Sequence, residues 1–176
     1  SVGRLVPEVV NGLPAVRFDG DDVGYFTNRI ANVRTVFWVI QESTSAPANY
    51  RAWLGDGAAY SFLGGLSAPG VIWYPGAHAN VLNGQTWLNG APVNGQATLR
   101  PRTMSVVSLV TTGDVAASNF AWGGNSYFWW GDLAELVIYD RALSAVERKA
   151  VEEYLQAKYA VGPTGGVMAP AISPNG

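Results

Sequence analysis

The stretch from residue 128 to residue 159, FWWGDLAELVIYDRALSAVERKAVEEYLQAKY, decides the fold. Its first part is aromatic and β-branched, and residues 128–130 and 133–139 read as strand. Asp140-Arg141 marks a turn. Ser144 and Glu147 then form an S-x-x-E capping box, the serine hydroxyl on the N3 amide and the glutamate back on the cap, so a helix starts after Ser144. Val146, Ala150, Tyr154 and Leu155 recur at helical spacing and predict its buried face, with Arg148, Lys149, Glu152 and Glu153 on the other side. Lys158 lies where a cation suits the helix dipole, and Gly162-Pro163 is expected to stop the helix. An aromatic strand, a tight turn and a capped helix together predict a β-sandwich sealed by a C-terminal helix.

Working outward, the rest of the chain is strand and turn. Residues 15–18 (AVRF) alternate as a short strand and run into the turn Asp19-Gly20-Asp21-Asp22. Residues 35–41 (TVFWVIQ) are continuously apolar in the middle, the pattern of a strand covered on both faces. Residues 71–74 (VIWY) predict another strand, stopped by Pro75-Gly76. Asn89-Gly90 joins residues 86–88 to residues 91–93, the strongest short hairpin signal. Pro92 has no amide N–H, so its strand should lie at a sheet edge or begin there. Residues 104–111 (MSVVSLVT) complete the set. The fold class is therefore all-β, an antiparallel β-sandwich with one C-terminal α-helix. Residues 1–161 form one domain, and the uncharged Gly/Pro-rich residues 162–176 form a tail or linker.

Composition agrees. The chain has 176 residues, 48% of them hydrophobic and 14% charged, with 21 Gly and 10 Pro, a balance that suits many short strands joined by turns. The net charge of −2 argues against nucleic acid, which needs a basic face. No apolar run is long enough to insert into a membrane as a helix. The absence of cysteine excludes a disulfide scaffold, a thiolate metal site and a cysteine nucleophile.

Two blocks resemble a known family. Asn11-Gly12-Leu13-Pro14-Ala15-Val16-Arg17-Phe18-Asp19-Gly20-Asp21-Asp22 resembles the opening of bacterial laminin-G-like domains of the concanavalin A-like lectin/glucanase superfamily. The segment from Gly131 to Ser144, with the helix after it, is similar to their ending and is the more specific match. The resemblance spans residues 11–161. It implies a jelly-roll sandwich, glycan or protein binding, and an extracellular, cell-surface or virion setting. It also implies an additional N-terminal strand, whereas only ten residues precede Asn11 here. An open sheet edge is thus expected, to be filled by a strand-complementing partner chain or by homo-oligomer contacts.

Candidate sites follow from residue chemistry. Asp19, Asp21 and Asp22 crowd one turn, and Asp132 and Glu135 lie on a late strand. Clustered carboxylates suit calcium, and the resemblance implies a structural calcium; turn chemistry alone also explains Asp and Gly there. Catalysis is not expected. Glycoside hydrolysis needs two carboxylates flanking one bond. Residues 35–42 carry only Glu42, and Glu135 and Asp140 sit five residues apart on opposite faces of a strand. His78, the sole histidine, is a loop residue without a nucleophile motif. Seven tryptophans and eight tyrosines are a heavy aromatic load. Trp38 reads as core. Trp53, Tyr60, Trp73, Tyr74, Trp122, Tyr127 and Trp130 lie near turns, where they either fill the sandwich or stack on a ligand, with Asn80, Asn83 and Asn125 available to sugar hydroxyls. Because residues 127–130 are all aromatic, at least one of these rings must lie outside the core. The sequence thus predicts a non-catalytic binding module for a glycan or a protein surface. The alternatives are a coat, adhesin or decoration subunit, and an accessory module of a glycan-active enzyme.

Overall fold

The computed structural model describes residues 1–57 and 59–162; the expected tail from residue 163 onward lies outside the described residues. In chain order the elements are β1 (Arg4–Val10), β2 (Leu13–Asp19), β3 (Gly24–Glu42), β4 (Arg51–Ala52), β5 (Leu54–Gly55), β6 (Leu63–Gly64), α1 (Ala79–Leu82), β7 (Gln85–Leu88), β8 (Ala91–Val93), β9 (Ser105–Phe120), β10 (Trp130–Tyr139) and α2 (Ala145–Tyr159). The all-β expectation holds. One antiparallel sheet runs in the order β1-β2-β10-β3-β9-β7-β8, with β5 added to β9, and β4 pairs with β6 in a separate two-stranded sheet.

Side-chain alternation divides the central strands into two buried faces. On the inner face Val36, Trp38 and Ile40 of β3 meet Val107 and Leu109 of β9 and Leu133, Leu136 and Ile138 of β10. Trp53, Leu54, Phe62, Ile72, Trp73 and Val81 cover this face. The layer opposite the sheet is therefore made of short strands, loops and the single-turn helix α1. On the outer face Phe37 and Val39 of β3 and Val106 of β9 pack under Leu143, Leu155 and Tyr159 at and within α2. The strand at residues 35–41 is covered on both sides, as its unbroken apolar run requires.

Two Asn-Gly turns set the hairpins. Asn89 and Gly90 have φ of 50° and 80°, and Asn11 and Gly12 have 48° and 69°, the paired positive values a two-residue hairpin turn needs. The β1–β2 hairpin carries the same sequence signal as β7–β8. β1 supplies a strand ahead of the Phe18-Asp19-Gly20 block and pairs with β2. β1 itself is a sheet edge, and β8, with Pro92, is the other.

Three local expectations are corrected. Residues 71–74 do not form a strand: Val71 makes one bridge to Leu99, while Ile72 and Trp73 are driven into the core from a loop. The helix buries a different stripe. Val146 and Tyr154 are 80% and 58% exposed, whereas Glu152, Leu155 and Tyr159 are buried. The sheet below the first half of α2 offers a hydroxyl and an indole instead of an apolar surface. Glu152 accepts from Ser108 and from Arg148, and the Arg148 guanidinium lies 3.8 Å from the centre of the Trp87 ring. Finally, α2 stops at Tyr159 before reaching Gly162, with Ala160 left-handed at φ 51°. The capping box at Ser144 and Glu147 is present as expected.

Candidate functional site

The outer face has one end that α2 does not cover. There, the last residues of β2 and β3 meet the first residues of β10. Register places Arg17 opposite Asp132 and Asp132 opposite Gln41, so three polar side chains form one rung on one face of the sheet. Asp132 is 3% exposed. Its Oδ1 accepts from Arg17 Nε at 2.7 Å, and its Oδ2 accepts from Arg17 Nη2 at 3.0 Å and Gln41 Nε2 at 2.8 Å. The bidentate pair is charge-assisted, and it raises the Arg17 pKa above its ordinary value.

This rung floors a groove of about 360 Å³, lined also by Ser43, Thr44, Ser45, Arg102 and Trp130. The Trp130 ring packs over Gly20, where a Cβ would fall 2.4 Å from it; Trp130 is half-buried. Glycine at residue 20 thus sets the ring's position.

The groove wall is pinned from behind by a buried ion network. Glu42 accepts from Arg100 Nε at 3.2 Å and Nη2 at 2.9 Å, and both side chains are fully buried. Arg100 also donates to the carbonyls of Gly65, Ser67 and Val71. Arg51, its Nε 3.8 Å from Glu42, donates to the carbonyls of Pro47 and Phe128. Burial is the largest influence on both arginines and lowers their pKa values; Glu42 acts in the opposite direction. These clamps were not anticipated from sequence. The available signal was Glu42 itself, since a carboxylate ending an apolar central strand needs a cation once buried.

The predicted metal ligands do not form one set. Asp19, Asp21 and Asp22 bring carboxylate oxygens within 4.8 Å of one another. Asp22 accepts the amide of Asp19 and the hydroxyl of Ser1, and Asp21 accepts the Ser1 hydroxyl. Partial desolvation, then the charges of Asp22 and Asp21, raise the Asp19 pKa; the Ser1 hydrogen bond lowers that of Asp21. Asp132 is paired with Arg17. Glu135 accepts from Lys158 Nζ at 2.8 Å and Tyr159 Oη at 2.9 Å. Calcium takes six to eight oxygens in ordinary protein sites. The five expected residues do not supply such a shell together, and the turn's oxygens already serve as hydrogen-bond acceptors.

The predicted aromatic binders separate into three groups. Trp53 and Trp73 are 1% exposed, so no ligand reaches them. They pack on Trp38, and Trp53 also packs on Trp129. Their place near turns misled because those turns fold inward over the sheet. Tyr60, Tyr74 and Tyr127 gather around Tyr50 at centroid distances of 4.7–5.6 Å between neighbouring rings. Trp122 stacks on Phe128 beside them. Only Trp130 of the predicted set lines the groove. Trp129 is buried while Trp130 is not, which satisfies the expectation that residues 127–130 place a ring outside the core.

Two of the amides named for sugar contact have other partners. The side chains of Asn80 and Asn125 are engaged, Asn80 with Asp114 and Thr112 and Asn125 as donor to Tyr60, while Asn83 ends α1 through its backbone N–H. His78 is exposed and caps α1 through Nδ1. Comparison of the chain with protein-family models, with curated proteins and with solved structures finds no match.

Proposed function

We propose that this chain is a non-catalytic binding module, of the laminin-G-like, jelly-roll kind that its Gly131–Ser144 ending resembles, and that its groove takes a saccharide. The observation that carries this reading is the Arg17–Asp132–Gln41 rung beside the half-buried Trp130. A carboxylate, an amide and a guanidinium held rigidly by one another present acceptors and donors to vicinal hydroxyls. An indole at the rim offers an apolar face to the C–H side of a sugar ring. Ser43, Thr44 and Ser45 add hydroxyls to the same groove. The non-catalytic part is supported by the two most buried carboxylates there: Asp132 and Glu42 are each held by an arginine, on opposite faces of the sheet, so the two do not flank one bond as glycoside hydrolysis requires. Such a module belongs in a surface, secreted or virion assembly.

A second reading, an assembly subunit, rests on the apolar groove of about 360 Å³ lined by Val2, Val16, Phe18, Tyr25, Phe120 and Leu136. Val2 and Tyr25 there are 80% and 72% exposed. A glycan array followed by calorimetric titration separates the readings. The saccharide reading expects a saturable hit that Trp130→Ala and Gln41→Ala each weaken at least tenfold without lowering Tm appreciably. Concentration-dependent assembly with no glycan hit would replace it by the subunit reading.

A further inference from the structure

We infer that the amide of Gln41 sets the specificity of this groove, and that it reads a pair of adjacent hydroxyls on a neutral sugar ring. The inference deepens the saccharide reading and rests on it. Asp132 is the obvious acceptor in the groove, yet it is already used. It is 3% exposed. Its Oδ2 accepts from both Arg17 Nη2 and Gln41 Nε2, and its Oδ1 accepts from Arg17 Nε. A carboxylate oxygen has two lone pairs, so Oδ2 is full and the buried Oδ1 keeps one. Asp132 positions its neighbours and has little left for a ligand.

Gln41 is the neighbour with capacity to spare. The Asp132 carboxylate, paired with Arg17, only accepts, so the amide turns an N–H towards it, and this fixes which way round the amide sits. Among the described residues Gln41 Oε1 has no hydrogen-bond partner, and it is not one of the unpartnered side-chain atoms shut off from solvent. Gln41 is half-buried and lines the groove, so the groove is where a ligand meets that oxygen. The second N–H of Nε2 is unused as well. Oε1 and Nε2 share one carbon. The amide therefore accepts from one hydroxyl and donates to the next when the two lie side by side. Gauche vicinal hydroxyls do so, whereas trans-diaxial hydroxyls point apart. A sugar lacking either hydroxyl would cover the amide and leave an acceptor or a donor unpaired, which is the source of discrimination. Charge agrees with a neutral ligand. Arg17 and Arg102 line the groove together with Asp19, Glu42 and Asp132, leaving no positive surplus to select an acidic sugar.

The test titrates the full chain calorimetrically with neutral gluco-, galacto- and manno-oligosaccharides, each with a set of monodeoxy analogues, and with uronic-acid oligosaccharides as the acidic arm. On the parent chain at least one neutral sugar is expected to bind saturably. It should lose about tenfold in affinity when either of two adjacent ring hydroxyls is removed, a readout that needs no variant to fold. In Gln41→Ala those two deoxy analogues and the intact sugar are expected to share one Kd, while the other deoxy positions keep the effect they had. Either penalty persisting in Gln41→Ala, or no adjacent pair mattering on the parent chain, would overturn the inference and leave the saccharide reading standing. Binding of the acidic arm alone would do the same. Failure of neutral and acidic glycans alike would overturn both.

Discussion

Asp132 and Glu135 leave the same strand on the same face, three residues apart, and end in different surroundings. A bulge between Leu133 and Glu135 shifts the β10–β3 register, turning Glu135 towards the helix. There Lys158 and Tyr159 close over it. Asp132 stays on the regular side of the bulge, held by its cross-strand neighbours Arg17 and Gln41 at the floor of the groove. A sheet face is either covered or available, and here α2 marks the boundary. At the covered end polar groups are satisfied by the helix and serve stability. At the uncovered end they are held by their cross-strand neighbours alone, which is where the proposed ligand would sit.

The largest way to break this contrast lies behind the groove. Arg100→Ala would leave Glu42 buried without its bidentate partner and free the loops whose carbonyls Arg100 holds. A loss of about 3–5 kcal/mol in chemical denaturation is expected, together with loss of any groove ligand. Next, Leu155→Ala removes a 1%-exposed side chain from beneath α2. It should cost about 2–5 kcal/mol yet leave the Kd of the groove within about twofold, because sites that share no partners act independently. A groove that loses affinity in step with this helix variant would erase the division between the two ends. Smaller is Ser144→Ala, which removes the cap and should cost about 1 kcal/mol.

The smallest effect is one of pH. Arg141 first, then Ser144, lower the Glu147 pKa from 4.5 to about 2. A carboxylate depressed in the folded state stabilises above its unfolded pKa, and that contribution fades as pH falls from about 4.5 towards 2. Thermal melts across this range should therefore show a shallower acid decline for Glu147→Gln than for the parent chain.

Much of the scaffold was legible because its signals are local. The unbroken run at residues 35–41, the Asn89-Gly90 turn and the Ser144–Glu147 box each specify a geometry by themselves. β3 extends back to Gly24 through its pairing with β9, and this first half was not legible because it is mostly exposed and lacks a strong apolar pattern. The tryptophans were ambiguous for a related reason. Trp53 and Trp73 sit beside turns, and only the inward fold of residues 53–81 makes them core. The groove was the least legible part. Trp130 and Asp132 were named, but for different roles, and Arg17, Gln41 and Arg102 are joined to them only by strand register and by loops closing over the sheet end. The helix stripe was misassigned because spacing cannot show that Ser108 and Trp87 would welcome an Arg–Glu pair.

The most direct test of the central claim, that the uncovered end of the outer face is the binding site, is an NMR titration of the tryptophan indole N–H signals with the saccharide selected on the array. The account predicts that the Trp130 signal moves and saturates while those of Trp38, Trp53, Trp73 and Trp129 hold. A stationary Trp130 with a moving Trp122 would put the ligand on the tyrosine cluster and contradict it.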